Sequence, residues 1–576
     1  MAAELLTIAP TIAPIIVLKL GGSILQKEDD VARAVHECYR WVRQGYRVVA
    51  VVSAIGDTTD RLVAAALTYG HAPSPHAYAA LVATGETISA SHLWLGLDRA
   101  GLKAVALDPR ELQLRVTGPA IDATPVSVDR EALHQALATA SVVVVPGFVG
   151  IDSTNRLALL GRGGSDLSAI VIAHALGARC RLLKDVPGLY ERDPSRPGPL
   201  ARRYASVTFA DASHLEGAIL QRKALQFATA HQFRFEVGAP GDDPSARATV
   251  VGARATRCAM DHQLPRLRVA LLGFGVVGRG VWRHLTRDSG RFEIAGIAVR
   301  NAKRHADTVA PQLLRRDAFD LASDPSIDLV IECLGGVDPA EACIAAALER
   351  GADVVTANKS LLAVNGTRFD AMTRVHGGRL AYSAAVGGAA PCLETVQRLA
   401  LLDSIDSIEG VLNGTTNVIL DRLSQGHSFD DALAEAQALG FAEADPSADL
   451  DGIDAAEKLR LLAHAAFGAA PDEWQVEGIR GAARPSAGNA VRLVARATRH
   501  RATVRPELLA NDHPLAAVCE EWNRLVLTDR HGQRTVVDGK GAGRWPTAEA
   551  VFADVMDCWR ACAAIVPAHA LTGGAA

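Results

Sequence analysis

The stretch that most narrows the fold is an apolar run, Arg268 to Leu272, that opens directly onto Gly273-Phe274-Gly275-Val276-Val277-Gly278 and then onto residues of helical period. Between a strand and a helix, the glycines of such a loop have separate jobs: a tight turn, close approach of backbone to a pyrophosphate, and close packing of helix on strand. The phosphate charge then lies at the helix N-terminus. The expectation is a Rossmann dinucleotide-binding domain; the plainer alternative is a glycine turn in another α/β domain. The next predicted strand, Phe292 to Val299, ends in Arg300-Asn301-Ala302-Lys303-Arg304, with no carboxylate for a ribose 2′-hydroxyl. Cations such as Arg300 and Lys303 suit a 2′-phosphate, so NADP(H) is expected, with NAD as the alternative; the same residues also make a solvated helix start. A further strand, Asp328 to Cys333, ends in Leu334-Gly335-Gly336, where the nicotinamide end of a dinucleotide belongs.

One such domain does not use up a chain of 576 residues, 49% of them hydrophobic, which has apolar surface for more than one core. Apolar runs at Ile15 to Leu20, Tyr46 to Val52 and Val142 to Pro146 alternate with Ala/Leu/Arg-rich stretches of helical period, so the first half is also α/β with largely parallel strands. Gly, Pro, Asp, Ser and Arg dominate from Pro240 to Arg268, and the main boundary is placed at 253–266. A net charge of -4 gives no footprint for nucleic acid, and no apolar run reaches the roughly 18 residues of a membrane span. Met1 to Pro14 is apolar but lacks a basic start, so no secretory signal is expected. The nine cysteines are scattered singly, which fits reduced thiols in a cytoplasmic protein.

From the glycine loop onward the sequence resembles homoserine dehydrogenase through VVTANKSLLA, YSAAVGGAAP, IEGVLNGTTNVILDRL, GFAEADPSADLDGIDAAEKLRLLA and GKGAGRWPTAEAV. The resemblance implies a Rossmann domain that the chain leaves near residue 390 and rejoins after about 541, with an α+β substrate and dimerisation domain inserted between. It also implies an NADPH-dependent reduction of aspartate 4-semialdehyde to homoserine. Asp454 and Lys458 are four apart in an Ala/Leu-rich helical stretch, so both emerge on one face. Aldehyde reduction needs a proton for the alkoxide oxygen as hydride arrives, which a lysine held beside a carboxylate donates. An isolated pair at this spacing would instead be a surface ion pair. By resemblance Lys458 is the acid/base, Asp454 and Glu443 bind homoserine, and Lys359 faces nicotinamide and substrate. Asn413, Gly414 and Thr415 match the substrate-side loop, while Gly440 and Gly543 match positions near the cofactor. The family's monovalent cation site would use carbonyls of Val386, Gly388 and Ala390, but Ser383 stands where its glutamate belongs, which puts sodium in doubt.

Residues from about 14 to 252 resemble the amino acid kinase family, and within it aspartate kinase, through VLKLGGSIL, VVAVVSAIGDTTDRL, LVATGETISASHL, VVPGFVG, LLGRGGSDLSAI and KDVPGLYERDP. Lys19 with Gly21 and Gly22, and the loop from Gly161 through Arg162 to Asp166, offer charge and backbone amides to a transferring phosphoryl group. The resemblance implies ATP with magnesium, Lys19 and Arg162 stabilising the transition state, and Glu86, Arg162 and Ser165 addressing aspartate. Ser53 and Asp185 then lie on the ATP side. Leu20, Ser23 and Ile24 depart from the aspartate kinase pattern, and so does Lys184, which would contact phosphate or face solvent. Tandem ACT modules usual in such fusions have no room between the halves, and none is expected after them.

The fold expected is an amino acid kinase-type α/β/α sandwich (1–252), a linker (253–266), and a Rossmann domain (267–390, completed by 541–576) around an inserted catalytic and dimerisation domain (391–540). The function expected is a homoserine dehydrogenase fused to an aspartate kinase making 4-phosphoaspartate, in threonine and methionine biosynthesis. The alternative keeps the kinase fold as an inactive binding or dimerising module. Small-molecule substrates, neither nucleic acid nor membrane, and a homodimer or higher homo-oligomer complete the expectations.

Overall fold

The computed structural model describes residues 13–565 except 70–72, 198–200, 216–219, 242–247, 260–263, 403, 483–488 and 542. Most of the Met1 to Pro14 segment, part of the expected linker, and residues 566–576 of the Rossmann return therefore lie outside the described residues. The chain divides into two compact units, 12–263 and 264–576.

In the first unit a nine-stranded sheet holds Ile15–Leu20 in its interior, parallel to Arg47–Val52 on one side and to the central strand, Arg179–Leu183, on the other. These strands are buried nearly end to end, as expected of a parallel sheet covered on both faces. Val142–Pro146 and Ala104–Ala106 extend one edge in parallel, and antiparallel pairing enters only on the far side, at Thr249–Val251 and Arg257–Cys258. A small four-stranded sheet carries Arg115–Thr117 and Val149–Ile151.

In the second unit a six-stranded parallel sheet orders its strands, numbered along the chain, as 3-2-1-4-5-6: Leu314–Arg315, Phe292–Ala298, Leu267–Leu272, Leu329–Glu332, Asp353–Thr356 and Leu380–Ala381. That is the doubly wound dinucleotide-binding order, with its reversal beside Leu267–Leu272. The chain then builds a second, mainly antiparallel six-stranded sheet from Ile405–Val411 to Arg534–Lys540. Helices Gly414–Ser424 and Ile453–Phe467 pack on it. The last helix, Arg544–Ile565, returns to the first sheet and packs on Val276–Arg287, where His284 stacks on Phe552 with ring centroids 4.7 Å apart. One buried cluster runs from Ala270 through Leu462 to Val537, so the two sheets of this unit share a core. No helix among the described residues is long and apolar enough to cross a membrane.

Candidate active site

The glycine loop has the geometry that its spacing promises. Gly273 has φ +99° and a Cβ there would collide with the Cys333 carbonyl, while one on Gly278 would collide with that of Gly273. Gly275 faces open space, as the backbone position that a pyrophosphate approaches must. Val276 and Val277 begin the helix, and Phe274 is buried against Trp282 and His305. Arg300 and Lys303 are exposed at the end of the second strand, Lys303 on a 3-10 turn, Ala302–His305.

At the far end of the sheet, helix Lys359–His376 begins with Asn358 as its cap, whose side chain accepts from Leu361 N. Lys359 Nζ lies 3.2 Å from Asp454 Oδ1, and Lys458 Nζ lies 2.8 Å from Asp454 Oδ2. One carboxylate is thus clasped between a lysine at the start of helix Lys359–His376 and one on helix Ile453–Phe467. Lys458 also donates to Leu412 O at 2.8 Å, and Asn413 Nδ2 donates to Asp454 Oδ2 at 2.8 Å. Burial would raise the Asp454 carboxyl, but Lys458 and then Lys359 outweigh it and hold the group at about 2. Burial likewise opposes the charge on Lys359, and Asp454 outweighs it, so this lysine sits above its ordinary value.

Not every expected residue joins this cluster. Glu443 is exposed, and only its backbone carbonyl is engaged, by Gln437. Asp449, which the sequence reading did not single out, does join it: Asn413 Nδ2 donates to its Oδ1 at 2.6 Å, and burial followed by the charge of Asp454 raises its carboxyl. The only signal for it was a run of acids, of which the turn Ser447–Leu450 points this one inward. Thr415 donates to Phe441 O at 2.7 Å, and Gly414 leaves no space for a Cβ beside Glu521. Gly440 and Gly543 both have positive φ, +80° and +120°, at turns open to the surroundings.

The expected cation cage does not fit. Ser383 donates its hydroxyl to Asp554 at 2.6 Å, and Ala390 O already accepts from Cys392 N at 2.7 Å. Val386 and Gly388 offer only backbone oxygens, and the Asp554 carboxylate beside Ser383 is already engaged by the serine N–H and hydroxyl, so no step is derived through a cation.

In the first unit Lys19 Nζ lies 2.8 Å from Asp166 Oδ1, and Lys184 Nζ 3.0 Å from Asp166 Oδ2. Lys184 therefore does not face solvent: its side chain is 13% exposed and paired with Asp166. Burial lowers the Lys19 ammonium, with Asp166 opposing. That ammonium lies where a Cβ on Gly21 would sit, while Gly22 is open. Ser53 N donates to Leu20 O, and Ser165 is buried at the start of helix Gly164–Leu176. Glu86 accepts from Ala54 N at 3.4 Å through one oxygen, the other is buried without a hydrogen-bond partner, and burial pushes its carboxyl up to about 7. Arg162 and Asp185 are exposed and outside this cluster. None of these residues lines the cavity of about 990 Å³ in this unit, which Tyr190, Phe209 and Leu225 surround, with Arg222 the one charged residue among the described residues that line it.

Comparison with known proteins matches the amino acid kinase family model to residues 14–232, the homoserine dehydrogenase NAD-binding domain to 273–383, and homoserine dehydrogenase to 391–556. A homoserine dehydrogenase of Corynebacterium glutamicum is 38% identical over 318 residues, covering 51% of this chain and 72% of its own. One of Pseudomonas aeruginosa is 38% identical over 316 residues, covering 51% and 73%. The crystal structure of a homoserine dehydrogenase from Thiobacillus denitrificans aligns at 35% identity over 52% of this chain and 74% of that one, with a TM-score of 0.49.

Proposed function

Since the chain belongs to the homoserine dehydrogenase family and carries an amino acid kinase domain ahead of it, we propose that Lys458 is the acid that protonates the aldehyde oxygen of aspartate 4-semialdehyde. The observation that carries this reading is the Asp454 carboxylate clasped between Lys359 and Lys458. Two of the three Lys458 N–H groups are engaged by Asp454 and Leu412, which fixes the ammonium and leaves one proton for substrate. Lys359 adds positive potential where the oxyanion develops. Asp449 and Asp454 offer carboxylates to the substrate's ammonium group. A nicotinamide cofactor, when bound, supplies the hydride; Arg300 and Lys303, with no carboxylate beside them at the end of the strand, favour NADPH over NADH. Replacing Lys458 with Ala should lower kcat by roughly 10²–10⁴-fold, the usual worth of a positioned general acid. NADPH oxidation with the semialdehyde measures it, and a rate within a few-fold of wild type would remove Lys458 from this role.

For the first unit the reading is phosphoryl transfer from ATP, with magnesium, to the side-chain carboxylate of aspartate. Lys19 supplies charge to the transferring group, and the half-satisfied carboxyl of Glu86 accepts from the aspartate ammonium. Trapping of aspartyl phosphate with hydroxylamine, beside a Lys19→Ala control, tests it; no product from the wild-type chain would leave a kinase fold without the activity.

A further inference from the structure

The buried carboxyl of Glu332 has no part in the chemistry so far. It ends strand Leu329–Glu332, is 0% exposed, and lies beneath the turn Leu334-Gly335-Gly336. A carboxyl group in such a place is stable only if donors surround it. Leu334 N and Gly335 N donate to its Oε1 at 2.7 and 3.2 Å, and the Thr356 hydroxyl donates to its Oε2 at 2.5 Å. Thr356 Oγ1 in turn accepts from Asn358 N at 3.0 Å, and Asn358 Nδ2 reaches back to Gly336 O at 2.5 Å. The hydrogen bonds close a ring: Glu332, the glycine turn, Asn358, Thr356 and Glu332 again.

Two features of the reaction are tied to that ring. Gly335 and Gly336 both have φ +74°, so the turn holds a left-handed path at the sheet end where the nicotinamide is expected. Asn358 caps the helix whose first residue is Lys359, 3.2 Å from Asp454. From this we infer that Glu332 is a positioning residue, which locks the glycine turn to the start of the Lys359 helix and so fixes the distance between the hydride donor and the charged cluster. This rests on the reading of Lys359 as an active-site lysine. Polar rings of this kind act as units, because each bond orients the next donor.

Two isosteric changes and one conservative one test it. In Glu332→Gln the amide can still accept from the turn, but its NH2 faces a Thr356 oxygen that already accepts from Asn358, and the threonine proton loses its acceptor. Thr356→Val removes the hydroxyl without changing shape, and Thr356→Ser keeps it. The readout is kcat per NADPH-binding site, with sites counted by fluorescence titration, so that misfolded protein does not count. Glu332→Gln and Thr356→Val should each lose about ten-fold or more, since a misplacement near 1 Å costs up to 10²-fold. The KM for semialdehyde should move far less, Thr356→Ser should restore the rate, and the double variant should lose no more than the worse single one. A rate per site within two-fold of wild type in Thr356→Val, a Thr356→Ser as poor as Thr356→Val, or additive losses would overturn the proposal. Lys359→Ala is measured alongside: an unchanged rate there overturns the site reading and this inference together, whereas a large loss there with none in Thr356→Val overturns this inference alone.

Discussion

At the scale of single residues, two buried carboxyls take opposite paths from the same penalty. Burial acts against charge on both Asp454 and Glu86; two lysines reverse it for Asp454, and Glu86 has no cation to do so. Asp454 is therefore ionised throughout the working range and does not shape the pH profile of the dehydrogenase. Glu86 does titrate there. Between its ordinary value of 4.5 and about 7 the folded chain keeps a proton that the unfolded chain has lost, so this group lowers stability as pH rises across that window. If its carboxylate form receives the aspartate ammonium, KM for aspartate in the kinase reaction falls as pH climbs toward about 7 and levels off above it. Below that point the change approaches about ten-fold per pH unit. Kinase assays at a series of pH values test this, with Glu86→Gln expected to be flat; a wild-type KM that does not move with pH would discard the role.

Among the elements, the packing of Arg544–Ile565 on Val276–Arg287 decides whether the returning chain completes the cofactor domain. They come close at Gly280, where a Cβ would sit 2.5 Å from that of Ala548. Alanine there gains roughly 0.5–1 kcal/mol in helix propensity, but forcing the helices apart costs about 1–3 kcal/mol, so the clash wins. Gly280→Ala should lower the denaturation midpoint of this unit and weaken NADPH binding together; a more stable variant would show that the helices separate freely. This helix pair was legible only in part. A glycine loop after an apolar strand announces its turn locally, and Asp454 with Lys458 share a face because a helix repeats every 3.6 residues. Nothing local announces that Thr356 bonds to Glu332, that Ser383 is taken by Asp554, or that Lys184 turns to Asp166, because each pairs residues brought together only by sheet order or by the chain's return. Asp449 was missed for a related reason: in a run of acids, only the turn decides which one faces inward.

For the molecule as a whole, the two activities are not consecutive, because aspartyl phosphate must be reduced to the semialdehyde before the second unit can act. Lys458→Ala is accordingly expected to leave hydroxylamine-trapped aspartyl phosphate at the wild-type level, and a parallel loss would show that the units depend on one another. Feedback control of the kind that inserted ligand-binding modules give also needs room. Only residues 259–266 separate the last strand of the first unit, Arg257–Cys258, from Leu267, the first residue of the dinucleotide sheet. Below roughly 40 residues a segment does not build its own core without disulfides, metals or partners, so no such module is housed there. Millimolar threonine should then leave both rates of this chain unchanged at subsaturating substrate. If threonine inhibits either rate, its site lies within one of the two folds themselves, and the substitution that abolishes inhibition while sparing turnover would show which.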